Sequence, residues 1–155
     1  MTSQPELGAT APGFELADQN GDLVTLDSFR GHQVFVYFYP RADTPGCTTQ
    51  ACSLRDAKAS IGSASVIGIS PDKAASLLRF DSKYSLGFTL LSDPNHTIAQ
   101  AYGAWGEKKM YGKVTQGVIR SAVLLDPAGI VIARWPKLSP KDTVASLLAA
   151  LELES

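Results

Sequence analysis

The chain has 155 residues, 45% of them hydrophobic, and a formal net charge of -1, with 14 Lys and Arg set against 15 Asp and Glu. That length suits a single domain, residues 1–155, around one core, and the interspersed charges leave no basic patch or stripe of the kind that binds nucleic acid. No apolar run can span a bilayer, no polybasic or amphipathic segment suits a membrane surface, and residues 1–8 lack the apolar stretch of a secretory signal, so a cytoplasmic protein is expected.

Strands and helices alternate along the whole length. Residues 14–16 and 23–26 flank Asn20-Gly21, a two-residue hairpin signal. Asp27 is expected to cap a short helical turn ending near Gly31. Residues 34–39 (VFVYFY) form a continuous apolar, β-branched and aromatic run, which reads as a strand buried on both faces. Pro40 ends it, and a loop rich in turn residues follows, from Arg41 to Gly46. A helix is predicted over 45–60, with Thr44 as N-cap and Pro45 at its first position. Residues 66–70 read as the next strand. Ser70-Pro71-Asp72 starts a second helix by the same logic, continuing to about Tyr84. A short strand at 88–91 and a short helix at 94–102 come next. Residues 103–117 read as glycine-rich and irregular. A hairpin is predicted from 118–126 and 130–135 around Pro127-Ala128-Gly129. A last helix, about 140–151 and capped by Ser139, carries Val144, Leu147, Leu148 and Leu151 at core spacing. Such units describe an α/β protein with a thioredoxin-like sandwich: a mixed central sheet flanked by helices, with an N-terminal β-hairpin.

The two cysteines, Cys47 and Cys52, are spaced C-x4-C. A structural disulfide is not expected in a reducing compartment or needed at this size. Zinc sites take about four ligands, and His32 and His96 lie far off in sequence, so no metal is expected. Free cysteines are often inert and buried, but the strand-loop-helix unit puts Cys47 in the first turn of a helix. Unpaired amides and the helix dipole there stabilise a thiolate, the attacking species. Gly46, with no side chain, lets a substrate approach the backbone closely. No histidine is placed to act as a base for Cys47, and both histidines read as solvated. Trp105 and Tyr111 read as packing anchors.

The stretch Pro40-Arg41-Ala42-Asp43-Thr44-Pro45-Gly46-Cys47 resembles the P-x-x-x-T-x-x-C motif of peroxiredoxins. Its continuation, Thr48-Thr49-Gln50-Ala51-Cys52, is similar to the bacterioferritin-comigratory-protein, or peroxiredoxin Q, subfamily. So are Gly68-Ile69-Ser70-Pro71-Asp72, Leu90-Leu91-Ser92-Asp93-Pro94, Trp105-Gly106-Glu107-Lys108, Tyr111-Gly112-Lys113 and Gly117-Val118-Ile119-Arg120-Ser121. The likeness covers roughly residues 5 to 135. It implies a thiol peroxidase that reduces hydrogen peroxide and organic hydroperoxides in antioxidant defence. Cys47 would be the peroxidatic thiolate and pass through a sulfenic acid. Cys52 would resolve it as an intramolecular disulfide. Thr44 would hydrogen-bond the reacting groups, and Arg120 would supply fixed positive charge. Pro40 would shield the site from water and shape its loop. The resemblance implies thioredoxin or a similar dithiol as reductant, and no cofactor. A monomer is expected, with a homodimer as the other state. On residues alone, Thr44 serves equally as a helix cap and Arg120 as a surface arginine.

Residues five apart on one helix are separated by about 140° around the axis and about 7.5 Å along it. A disulfide needs Cα atoms within about 7 Å. Either Cys52 is therefore a bystander, or the first helical turns unwind once Cys47 is oxidised, which Thr48, Thr49 and Gln50 resist only weakly. Other readings are a dithiol reductase, which expects C-x-x-C, a copper-handling protein, which expects a distal histidine, and a redox-inert scaffold. Residues 136–142 depart from the Lys-x-x-Gly-His-like stretch that many relatives carry before the last helix.

Overall fold

The computed structural model describes residues 3–153. Strands β1 (Glu15–Asp18) and β2 (Leu23–Thr25) make the opening hairpin. Its loop is longer than the Asn20-Gly21 signal implied, because the Asp18 carboxylate accepts the amides of Asn20 and Asp22, at 2.8 and 3.0 Å. A 3-10 turn, Leu26–Phe29, follows, preceded by Thr25, so Asp27 lies inside the turn rather than capping it.

Strand β3 (Val34–Phe38) is buried at every position, as its apolar run required. Helix α1 is Pro45–Asp56; the chain breaks at Ala57, and a separate turn, α2 (Lys58–Ile61), completes the predicted span. Strand β4 (Ser65–Ser70) leads to α3 (Ala74–Tyr84). That helix starts later than expected, because Ser70 and Asp72 bond to each other instead of capping it. Strand β5 (Thr89–Ser92) precedes α4 (Thr97–Ala101), whose first amides, Ile98 and Ala99, donate to the Asp93 carboxylate.

The segment expected to be irregular is a hairpin: β6 (Trp105–Met110) pairs with β7 (Lys113–Val118) across Tyr111-Gly112, both at positive φ. Strands β8 (Ser121–Leu125) and β9 (Val131–Trp135) form the last hairpin. Val118, placed there by sequence, belongs to β7 instead. A 3-10 turn, Pro140–Asp142, leads into α5 (Thr143–Leu153).

Seven strands make one mixed sheet in the order β2-β1-β5-β4-β3-β8-β9, with β3, β4 and β5 parallel. Side chains alternate along β3, so Val34, Val36 and Phe38 join a core with α4, β1 and β2, while Phe35 and Tyr37 join a second core beneath α1, α3 and α5. This is the sheet-between-helices arrangement expected. Among the described residues, no helix is long and apolar enough to cross a membrane.

Candidate active site

The central strand delivers the loop that precedes α1. The Tyr39 amide donates to Ile69 C=O at 3.1 Å, the last backbone tie to β4 before Pro40, whose ring carries no amide hydrogen, turns the chain out of the sheet. The loop is then clamped from the side of α3. The Ala42 amide and the Ser70 hydroxyl both donate to Asp72 Oδ2, at 2.7 and 2.8 Å. Asp43, at φ +60°, accepts from Lys83 Nζ at 2.9 Å and from the Tyr84 hydroxyl at 2.7 Å. Those two donors, Lys83 first, hold the Asp43 carboxyl below its ordinary pKa.

Cys47 is the third residue of α1 and only 1% exposed. Amides of this first turn lack partners within the helix, which places partial positive charge around the sulfur. Thr44 stands at the N-cap position, but its hydroxyl makes no cap bond; it donates to Arg41 C=O at 2.8 Å. Its proton is therefore committed to the loop, and its lone pairs are left to accept.

Arg120 arrives from the break between β7 and β8. The Ile119 amide donates to Ala104 C=O at 2.7 Å, and the Leu138 amide to Arg120 C=O at 3.0 Å, which fixes the backbone there. The guanidinium then reaches across to α1. Nη2 donates to Cys47 Sγ at 3.4 Å and Nη1 to Gln50 Oε1 at 2.7 Å. Gln50 is fully buried, and its Nε2 donates to Thr143 Oγ1 at 3.0 Å; Thr143 in turn donates to Ser139 C=O at 2.9 Å. A chain of bonds thus runs from the sulfur to the start of α5. The space at Gly46 is used differently from the sequence expectation: a Cβ there would meet Arg120 Nη2 at 3.3 Å and Pro140 Cγ at 3.4 Å. The missing side chain makes room for the guanidinium rather than for substrate.

An open groove of about 730 Å³ reaches Arg120, with Lys108, Ile119, Trp135, Leu138 and Ser139 in its walls. Burial, and then the charge of Arg120, lower the pKa of the Lys108 ammonium. From residues 136–142, the stretch that departs from the family pattern, Lys137, Leu138, Ser139 and Asp142 line this groove, and Leu138 buttresses Arg120.

The structure brings Cys47, Thr44 and Arg120 to one end of the sheet. Pro40 sits half-buried at the root of the same loop. Cys52 lies further along α1, half-buried against the core, and both thiols are free. Gln50 and Thr143 were not anticipated. Gln50 was legible in principle, since it follows Cys47 by three residues, one helical turn along the same face. Nothing in the sequence marks Thr143, 93 residues away from Gln50. His32 is exposed, as expected, whereas the His96 ring is stacked on Trp105, with centroids 3.7 Å apart. Trp105 packs on the core, but Tyr111 is 98% exposed at the hairpin tip and anchors nothing. Among the described residues, no cluster of three or more His, Cys, Asp or Glu could hold a metal ion.

The AhpC/TSA family profile matches residues 7–134. Peroxiredoxin Bcp of Escherichia coli is 49% identical over 124 residues, 79% of this chain and 80% of its own. Peroxiredoxin Bcp of Bacillus subtilis is 41% identical over 149 residues, 95% of each chain. A solved structure of the Xanthomonas campestris bacterioferritin comigratory protein, studied for alkyl peroxide reduction, superposes with TM-score 0.85 at 33% identity, covering 91% of each chain.

Proposed function

The chain belongs to the AhpC/TSA family as a peroxiredoxin of the Bcp and peroxiredoxin Q kind, and from that premise we propose how its residues reduce hydroperoxides. The observation that carries the assignment is Arg120 Nη2 at 3.4 Å from Cys47 Sγ, in the first turn of α1. Cys47, as thiolate, attacks the terminal peroxide oxygen. The O–O bond breaks, an S–O bond forms, and the leaving alkoxide or hydroxide takes up a proton, giving a Cys47 sulfenic acid and an alcohol or water. Arg120 stabilises negative charge on sulfur and on the departing oxygen. Thr44, its own proton held by Arg41 C=O, accepts the peroxide O–H and orients it. Pro40 shapes the loop and keeps water off the sulfur.

Cys52 then attacks the sulfenic sulfur. An S–S bond forms, the S–O bond breaks, and water leaves. Because both residues lie on α1, this step requires its first turns to open. An external dithiol, thioredoxin or a similar protein, reduces the disulfide. The groove beside Arg120, with Ile119, Trp135 and Leu138 in its wall, favours organic hydroperoxides besides hydrogen peroxide, in line with the alkyl peroxide activity of the Xanthomonas relative. We assign the enzyme to the cytoplasm, as a monomer of one domain.

The test is peroxide consumption with a thioredoxin system by wild type, Cys47→Ser and Cys52→Ser, with thiol states followed by mass spectrometry. Cys47→Ser should abolish turnover, and Cys52→Ser should react once and stall. Continued turnover by Cys52→Ser would move resolution to an external thiol. A wild type that consumes no peroxide yet reduces protein disulfides would replace this assignment with a dithiol reductase.

A further inference from the structure

Strand β3 and the residue that follows it carry Phe35, Tyr37 and Tyr39 on the face beneath α1, stacked in sequence with centroids 6.0 and 5.4 Å apart. The strand also places Phe35 and Phe38 in the core, so a phenyl ring satisfies the packing there. Tyr37 nevertheless carries a hydroxyl, and that hydroxyl is buried with no hydrogen-bond partner. The hydroxyl of Tyr39, the next phenol, lies by Ser70 and is likewise buried without a hydrogen-bond partner. Space has been made for the Tyr37 oxygen: a Cβ on Gly68 of β4 would stand 2.9 Å from it. The surroundings are specific too. Tyr37 shares its core cluster with Cys47, Ala51 and Leu54 of α1, and the half-buried Cys52 packs against that cluster. Burial raises its pKa well above the ordinary value, and Cys47, Arg120 and Cys52 all lie within electrostatic reach.

A buried hydroxyl without a partner costs the folded arrangement that buries it, because water has been removed and nothing replaces it. The cost falls on the state in which α1 is packed. It is relieved when the first turns of α1 lift and water enters. We propose that Tyr37 is a positioning residue for the resolving step: its unpaired hydroxyl weakens the packing of the first turns of α1 and so sets how fast Cys52 reaches oxidised Cys47. This rests on the reading that Cys52 resolves Cys47 by opening of α1. No additional reactant is needed. Cys52 S–H meets Cys47 S–O–H, the disulfide forms, and the thiol proton leaves with the hydroxyl as water.

Tyr37→Phe keeps the ring and removes the oxygen, and separates this role from a merely structural one. The first measurement is hydrogen exchange on reduced protein in the Cys52→Ser background, with and without Tyr37→Phe. Amides of residues 47–55 should become better protected in the Phe variant, and thermal stability should not fall. The second is rapid mixing with hydrogen peroxide, Cys52 intact. Cys47 oxidation should keep its wild-type rate, while disulfide formation slows about fivefold, the effect expected from a buried hydroxyl at the low end of its cost. At excess peroxide more Cys47 should then be lost as sulfinic acid. Unchanged protection, loss of stability, or disulfide formation at the wild-type rate would overturn the proposal. Equal slowing of both steps would also overturn it, by placing the hydroxyl in the sulfur chemistry itself. A wild type that forms no Cys47–Cys52 disulfide removes the resolving reading and this one with it.

Discussion

Arg120 is held at two points, by the Leu138 amide on its carbonyl and by Gln50 on its guanidinium. Only the second hold aims positive charge at the sulfur. Arg120→Met should therefore slow Cys47 oxidation about 100-fold, the scale of losing a donor aimed at developing charge. Arg120→Lys should recover only part, since a single ammonium cannot serve Cys47 and Gln50 in the planar fork. Gln50→Leu tests the aiming alone. The charge remains, but a charge-assisted bond is lost, worth about 1.5–3 kcal/mol, so a loss of about tenfold in the same step, the low end of that range, is expected. Stopped-flow oxidation of the three variants, with unfolding curves alongside, separates these outcomes; a Gln50→Leu enzyme at the wild-type rate would leave Gln50 a packing residue. At this scale the sequence was informative where chemistry and spacing coincide. Cys47 was legible because a helix start follows a loop rich in turn residues, whereas Thr44 read on its residues only as the cap of that helix and took a site role from the family motif. Arg120 entered through the family motif alone, because its approach depends on how β7 breaks into β8. Thr143 was invisible because only the tertiary fold brings it to Gln50.

At the scale of elements, β3 announced itself because both its faces are buried. The β6–β7 hairpin stayed hidden for the opposite reason. Its Lys113–Gln116 stretch is exposed at every position, so no alternation of polar and apolar residues marks it. Its turn chemistry, Tyr111-Gly112 at φ +53° and +78°, was the available signal and lay inside a glycine-rich run. The start of α3 was misplaced because Ser70 and Asp72 look like a cap but serve the loop before α1. That loop has a second tie, Asp43 to Lys83 and Tyr84, and its pH dependence follows from sign. Hydrogen bonds from Lys83 and Tyr84 lower the Asp43 pKa in the folded protein. A depressed carboxyl contributes stability that is full above its unfolded value, about 3.9, and lost as pH falls through the lower folded value. Both side chains of the ion pair are exposed, at 59% and 43%, so the effect is small and weakened by salt. Asp43→Asn should lower the melting temperature slightly at pH 7 and at low salt. The difference should close in strongly acidic solution; a gap that persists there would mean that the asparagine perturbs the positive-φ turn rather than the ion pair.

Across the whole molecule the charges nearly cancel, to -1, yet they are not spread evenly around the site. The groove at Arg120 gathers Lys108, Lys109, Arg120 and Lys137 against the carboxylates of Glu107 and Asp142. Hydrogen peroxide is uncharged and small, so this local excess does little for its encounter with Cys47. A protein reductant that docks over the groove to reach a disulfide released from α1 would instead meet the cations at its rim. Complementary charge raises association rates and loses that effect as salt screens it. Between about 0.01 M and 0.15 M ionic strength the screening length falls from about 30 Å to about 8 Å. Turnover limited by the reductant should then drop several-fold, whereas Cys47 oxidation by hydrogen peroxide should hold nearly constant. Lys137, exposed on the stretch that departs from the family pattern, gives the local test. Lys137→Glu should lower kcat/KM for the reductant and flatten its salt dependence without touching the peroxide step. If both steps respond to salt alike, the charge acts on the sulfur; if neither does, the reductant docks elsewhere, and residues 136–142 serve only to hold Arg120 in place.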